Sequence, residues 1–463
     1  MAGRLTSCDD FRHADARSRR SALATPLTRR EVLGLGLGAS VALYLAPGTP
    51  VQRALEAAQA DAATGTGDRI LVSVFLPGGL DLLDSIVPLS QYGAYRDARG
   101  VMARPQSSPR LGSTGLGIHD ALTKGNRGGI KGLFDQGKIG LLPGIDYANP
   151  NLSHFDSRSF WETGLVTKEL ATGWLGRVVD HSGSKDNPFQ ALSVSSQITP
   201  VLRTAGAPVA AVETARAGRL SAPLDPEALA FTLETYAALG AAGSRRPGRD
   251  AVNRGARLTK RVADELVPYE ASAPEPSQKP GAVEQILASD APGDAAPAYP
   301  KSSFGDRMRT LAFMLAQPFG TRVAGVSTSG GFDTHDGQAA ALDRLLADVS
   351  QSLAAFQLDI EQRGLGDRVM VLVWSEFGRR VKSNASLGTD HGAGGIAWVM
   401  GNQARPGVLT EYPSLTDLDR LRNLKVTIDF RQVYASLLDQ WLQVDAGAII
   451  PRAGELQRIG LVR

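Results

Sequence analysis

The sequence predicts a three-layer α/β/α fold built on a mainly parallel sheet. Three observations lead there. Short apolar runs recur at 69–76, 139–142, 323–327 and 369–374, the last rich in β-branched residues. They are continuous rather than alternating, the pattern of strands covered on both faces. Stretches of helical periodicity separate them, and an alternation of strand and helix argues for helices packed on both faces of a sheet. Each run also ends in a polar loop that carries carboxylates or imidazoles, and in open α/β sheets ligands bind at the carboxyl ends of the strands.

The bulk composition allows one large domain or two to three average ones in 463 residues. The net charge of +3 belongs to the N-terminus. The first 60 residues hold eight Arg against five acidic residues, and the remainder carries equal numbers of both signs. No basic face follows, so nucleic acid is not an expected partner. Cys8 is the only cysteine, which excludes an internal disulfide or a thiolate zinc site beyond it.

Residues 1–30 are polar and Arg-rich and end in Thr28-Arg29-Arg30-Glu31-Val32-Leu33, followed by a Gly/Ala-rich apolar run over 32–47. That run is too short and glycine-broken for a membrane span but suits the apolar region of a signal peptide. The arginine pair is similar to a twin-arginine export signal, and Ala58-Gln59-Ala60 supplies small residues for cleavage. The expected organisation is a signal region over 1–60 and a domain over 61–463. The expected partner is the twin-arginine export machinery, the location is periplasmic or secreted, and no stable membrane span remains after cleavage. The alternative is a basic tail followed by a core helix.

The first strand, at 69–76, leads into Pro77-Gly78-Gly79-Leu80-Asp81. Glycines allow positive φ and close approach, so the turn either presents Asp81 to a ligand or uses it to cap a helix. Residues 90–117 read as surface loop. A helical pattern runs from His119 to about Gly137, and the strand at 139–142 opens a loop from Asp146 to Asp156. Ser153 beside His154 is poorly placed as a nucleophile–base dyad, because adjacent side chains diverge. Capping a helix that starts at His154 is the simpler role for Ser153. Gly173-Trp174-Leu175-Gly176-Arg177 opens another helix, 191–195 suits a strand, and 224–240 reads as helix. The composition shifts over 241–302 to Pro, Ala and Ser, marking an insertion with one helix near 256–267 and a flexible stretch near 271–300.

A helix over 304–316 and the strand at 323–327 precede Gly330-Gly331-Phe332-Asp333-Thr334-His335-Asp336. Asp333 and His335 are close enough in sequence to grip one ion together, or to hydrogen-bond within the loop. A long helix over 338–363 leads to the strand at 369–374, which ends in Ser375-Glu376. Asp390-His391-Gly392 then precedes the apolar run 396–400. Asp429 is an expected N-cap of a closing helix that reaches about Leu442.

Collected from four strand ends, Asp81, Ser153, His154, Asp333, His335, Glu376, Asp390 and His391 form a carboxylate–imidazole set. Such a set suits zinc, manganese or iron better than magnesium or calcium. Two ions about 4 Å apart would bind both the attacking and leaving oxygens of a phosphoryl or sulfuryl transfer. A serine beside them would be activated as nucleophile. Arg177 or Arg379 would pair bidentately with a tetrahedral anion.

The motifs F-L-P-G-G-L-D, N-L-S-H-F, G-W-L-G-R, G-F-D-T-H, W-S-E-F-G-R, G-T-D-H-G and D-F-R-Q-V-Y follow the arginine signal in that order. The ordered set resembles the exported bacterial family called domain of unknown function 1501, grouped with the alkaline phosphatase and sulfatase superfamily. The resemblance runs from about residue 28 to the end, outside the insertion. It implies an alkaline phosphatase-like fold, with Asp81, Asp333, His335, Glu376 and His391 holding one or two divalent metals. It also implies Ser153 near the nucleophile position, supported by His154 or Asp390. The chain departs from the superfamily in a shorter Asp–His spacing, in a single Glu376 where an Asp-His pair is usual, and in a G-G-L-D turn.

The implied function is an exported metal-dependent hydrolase acting on a phosphate or sulfate ester. The alternatives are a non-catalytic periplasmic binding or surface-assembly protein that keeps the fold, and a protein that binds a partner through the insertion.

Overall fold

The computed structural model describes residues 69–168, 171–213 and 295–463, with scattered positions between 231 and 274. The expected signal region and most of the 241–302 insertion lie outside them, as does most of the expected helix over 224–240.

The first half contains β1 (Ile70–Phe75), α1 (Leu82–Ser85), α2 (Tyr92–Arg99), α3 (Gly129–Asp135), β2 (Ile139–Asp146), α4 (His154–Thr163), α5 (Trp174–Ser182), β3 (Ala191–Ser193) and β4 (Ala210–Ala211). The second contains α6 (Ser303–Leu315), β5 (Val323–Ser327), α7 (Gln338–Gln362), β6 (Val369–Trp374), β7 (Gly378–Arg379), β8 (His391–Gly392), β9 (Gly395–Met400), β10 (Gly407–Val408), β11 (Ile428–Asp429), α8 (Phe430–Leu437) and α9 (Ala446–Ile449). Nine strands form one sheet in the order β10-β2-β9-β6-β1-β5-β3-β4, with β11 also on β2. The sheet is mostly parallel. Only β9 runs against its neighbours β2 and β6.

Side chains of β1 alternate between two apolar clusters. Ile70, Val72 and Val74 join Leu311 of α6 and Leu346 and Leu353 of α7 on one face. Leu71 and Phe75 join Trp161 of α4, Val178 of α5 and Tyr434 of α8 on the other. Helices therefore cover both faces. The second cluster also orients α4: Trp161 stacks on Trp374 of β6 at 5.3 Å and on Phe430 at 4.6 Å. Burial of these rings, together with their stacking, fixes the helix at whose start His154 stands.

Three expectations are corrected. Residues 90–117 contain α2, whose buried face carries Tyr95 and Arg99. The pattern from His119 to Gly137 is not one helix: Gly125, Gly128 and Gly129 have φ of 111°, 79° and 66°, and only Gly129–Asp135 is α-helical. The closing helix passes into a π turn over Leu438–Leu442. No helix among the described residues is long and apolar enough to cross a membrane.

Candidate metal centre

Because β6, β1 and β5 are neighbours in the sheet, the loops that follow them emerge side by side. The β1 loop supplies backbone. Gly78 and Gly79 have φ of 122° and 78°, and their N–H groups donate to the Glu376 carboxylate at 2.9–3.3 Å. Ser375 Oγ accepts from Gly79 and Leu80 at 3.1 and 3.0 Å. A Cβ on Gly78 would sit 2.3 Å from the Asp333 nitrogen, so the turn also abuts the β5 loop. The short β7–β8 ribbon pairs Arg379 with His391, which returns the chain to the same place.

Three of the chain's six histidines converge on Asp333. His391 Nε2 and His335 Nε2 lie 3.0 and 3.1 Å from Asp333 Oδ1 and 3.1 Å from each other. His154 Nε2 is 3.4 Å from Asp333 Oδ2. Each ring is held from behind through Nδ1. Glu376 Oε1 holds His154 at 2.8 Å, the Leu152 carbonyl holds His391 at 3.0 Å, and Asp390 Oδ1 holds His335 at 3.1 Å. A carbonyl and a carboxylate only accept, so the partners assign the Nδ1 proton in each ring. The Nε2 lone pairs of the neutral rings then face one another and a carboxylate. Acceptors packed that closely repel unless protons or a cation lie between them. His154, Asp333 and His391 form a candidate metal-binding triad whose ligand atoms lie within 4.8 Å of one another. Donors sharing one ion at about 2.0–2.2 Å stand about 3 Å apart, and Asp333 stands at that spacing from His391 and His154, at 3.0 and 3.4 Å.

The electrostatics agree with this arrangement. Burial alone would raise the Asp333 carboxyl, but hydrogen bonds from His154, His335 and His391 and the charge of Arg379 hold it far below the carboxylate range. Glu376 is opposed by burial and is nevertheless lowered by His154 and the Gly78 N–H. His154, despite burial, is pushed up to about 9 by Asp333 and Glu376. His391 is lowered by burial and by the charges of Arg379 and His154, against the pull of Asp333. His335 is raised, chiefly by Asp333.

The other sequence candidates fall elsewhere or take other roles. Asp81 is not with the cluster. It caps α1 through the Leu83 and Asp84 N–H groups and is gripped by Arg99 at 2.6 and 2.9 Å and by Gln338 at 2.8 Å. Glu376 and Asp390 stand behind the imidazoles rather than among the converging atoms. Ser153 caps α4, accepting from the Asp156 N–H at 3.5 Å.

Neither arginine expected on the substrate is free for it. Arg177 donates to the Ile449, Thr172 and Thr163 carbonyls. Arg379 is buried and spends its guanidinium on Asp333 at 2.6 Å and on the Gly78, Gly79, Phe332 and Thr389 carbonyls. Two supports were missed: the Gly78–Gly79 amides under Glu376, whose glycines were visible as a close-approach turn, and the Leu152 carbonyl behind His391, which had no sequence signal. A cleft of about 1110 Å³ opens beside His335, Asp390 and His391 and takes in Arg380, Lys382 and Arg422. Arg380 is the second arginine of the W-S-E-F-G-R-R run, a signal that was available.

Residues 146–452, well over half of the chain, match the family described as a protein of unknown function, DUF1501. No curated protein matches the chain.

Proposed function

The chain belongs to the DUF1501 family, and on that premise we propose that it is a metal-dependent hydrolase of alkaline phosphatase-like fold acting on a phosphate or sulfate ester. The observation that carries this reading is the convergence of three imidazole Nε2 atoms on Asp333, each ring locked at Nδ1 by an acceptor behind it. Metal-ligating histidines are held in this way, which fixes both ring orientation and tautomer. A donor set of imidazole and carboxylate fits zinc, manganese or iron.

His154, Asp333 and His391 would hold the metal, with His335 Nε2 beside them. A bound divalent ion supplies Lewis acidity towards an ester oxygen and lowers the pKa of a coordinated water. Glu376 keeps the proton on His154 Nδ1 and so keeps Nε2 as a donor. Asp390 does the same for His335. Arg379 holds Asp333 and leaves the cleft to other cations.

A second reading, a metal-binding module without turnover, is favoured by one observation. Among the described residues Asp81 and Ser153 are both engaged as caps, which leaves one triad and no freed nucleophile. Activity decides between the two. Zinc- or manganese-loaded protein should hydrolyse p-nitrophenyl phosphate or sulfate, and His391→Ala should lose that turnover. Metal uptake with no turnover of either ester favours the second reading. Arg29 and Arg30 would direct the protein to the twin-arginine machinery and to the periplasm or beyond. Replacing both by Lys should stop export, and unaffected export would overturn that assignment.

A further inference from the structure

The cleft beside the imidazoles is lined by three cationic side chains against two carboxylates, Asp97 and Asp390. Arg380, Lys382 and Arg422 line it. Arg380 is tethered through its guanidinium to the Leu421 carbonyl, which ties the 419–423 loop to the strand ribbon. The backbone of that loop, which carries Arg422, is held by Asp419. Asp419 Oδ1 accepts from the Leu421 and Asn423 N–H groups at 2.8 and 2.7 Å, and Asp419 Oδ2 accepts from the Asn423 amide at 3.0 Å. Arg422 itself has φ of 64°, a conformation that a non-glycine residue keeps only where the surroundings impose it.

The acidic residues of the same cleft already have partners. Asp97 pairs with Arg96 at 3.2 Å, and Asp390 with His335 at 3.1 Å, while Asp390 and Asp419 also face the charge of Arg380. Lys382 and Arg422 are exposed and have no ion pair among the described residues. The same cleft is also lined by apolar Leu152, Val381, Leu415 and Leu418.

We propose that Lys382 and Arg422, with Arg380, form a second anion subsite, so that the ligand of this cleft bears two separated anionic groups joined by a less polar body. One group sits at the His335/His391 edge and the other on the cationic wall. The proposal rests on the hydrolase reading for its first subsite and not for its second. An ester whose leaving group carries its own phosphate, sulfate or carboxylate has this form.

The test is calorimetric binding to the zinc-loaded full chain, using inorganic phosphate and α,ω-alkane bisphosphates with spacers from propyl to nonyl. At least one bisphosphate should bind about tenfold or more tighter than phosphate, because the second contact is intramolecular. That advantage should weaken with added salt. It should vanish in Lys382→Ala/Arg422→Ala, with zinc content unchanged. The proposal is overturned if no bisphosphate outbinds phosphate, or if the double variant keeps the advantage. Protein that takes up no zinc yet prefers bisphosphates through Lys382 and Arg422 would keep the subsite and sink the metal reading instead.

Discussion

Glu376 stands two residues past β6 with its carboxylate turned onto His154 Nδ1, and the Gly78 and Gly79 amides hold it there. Its part in metal binding would therefore be indirect. Glu376→Gln keeps the shape but weakens the acceptor, and loss of such a support lowers metal affinity by about 10- to 100-fold. Zinc titration against a competing chelator measures this, and an unchanged affinity would remove Glu376 from the site.

The pH dependence follows from His154. Its pKa rises from an ordinary 6.5 to about 9 in the metal-free fold, so protonated His154 stabilises the fold fully below 6.5. That contribution is lost as pH rises through about 9. Metal must displace the same proton, so metal affinity should climb with pH across that window. Metal-free protein should thus melt at lower temperature at pH 9 than at 6.5, while the metal-loaded form gains relative to it. Parallel pH profiles for the two forms would contradict this.

The loops at strand ends act as rigid parts, and the β1 turn shows it best. Gly78→Ala places a Cβ 2.3 Å from the Asp333 nitrogen at φ of 122°. Strain and collision should cost roughly 2 kcal/mol or more and lower metal affinity by displacing Asp333. Gly93→Ala in α2 meets nothing within 4 Å and should stabilise the protein by up to about 1 kcal/mol. Urea unfolding of both variants checks the contrast.

Strands were the legible elements, because β1, β5 and β6 are continuous apolar runs buried on both faces. Helices were legible where caps stood in the sequence. Asp429 forms a capping box with Gln432, and Ser302 caps α6 through the Gly305 N–H. The stretch 119–137 misled because its apolar period is helical, while Gly125, Gly128 and Gly129 bend it locally. α2 was missed because Tyr92–Arg99 is short and its buried polar face reads as surface.

On the scale of the molecule, the sheet order gathers residues about 180 to 220 positions apart. His154 meets Glu376 and Asp333 because β6, β1 and β5 adjoin and α4 is pinned to β6 by Trp161 and Trp374. The strand-end pattern singled out the residues that gather there. It did not separate atoms that converge from atoms that orient, since that depends on which nitrogen faces which acceptor. Asp81 was drawn into the set because Arg99, its buried counter-ion, lay in a stretch read as loop. A charge at a strand end is informative only once its partner is known.

Metal content of the full chain tests the central claim most directly, measured by elemental analysis after purification without chelators or metal-affinity resin, beside His391→Ala. The account predicts about one equivalent of zinc, manganese or iron in the parent protein. It predicts loss of that metal in the variant, with the circular dichroism of the fold retained. Folded parent protein without metal after incubation with each of these ions, or a folded variant that keeps the full equivalent, would contradict it.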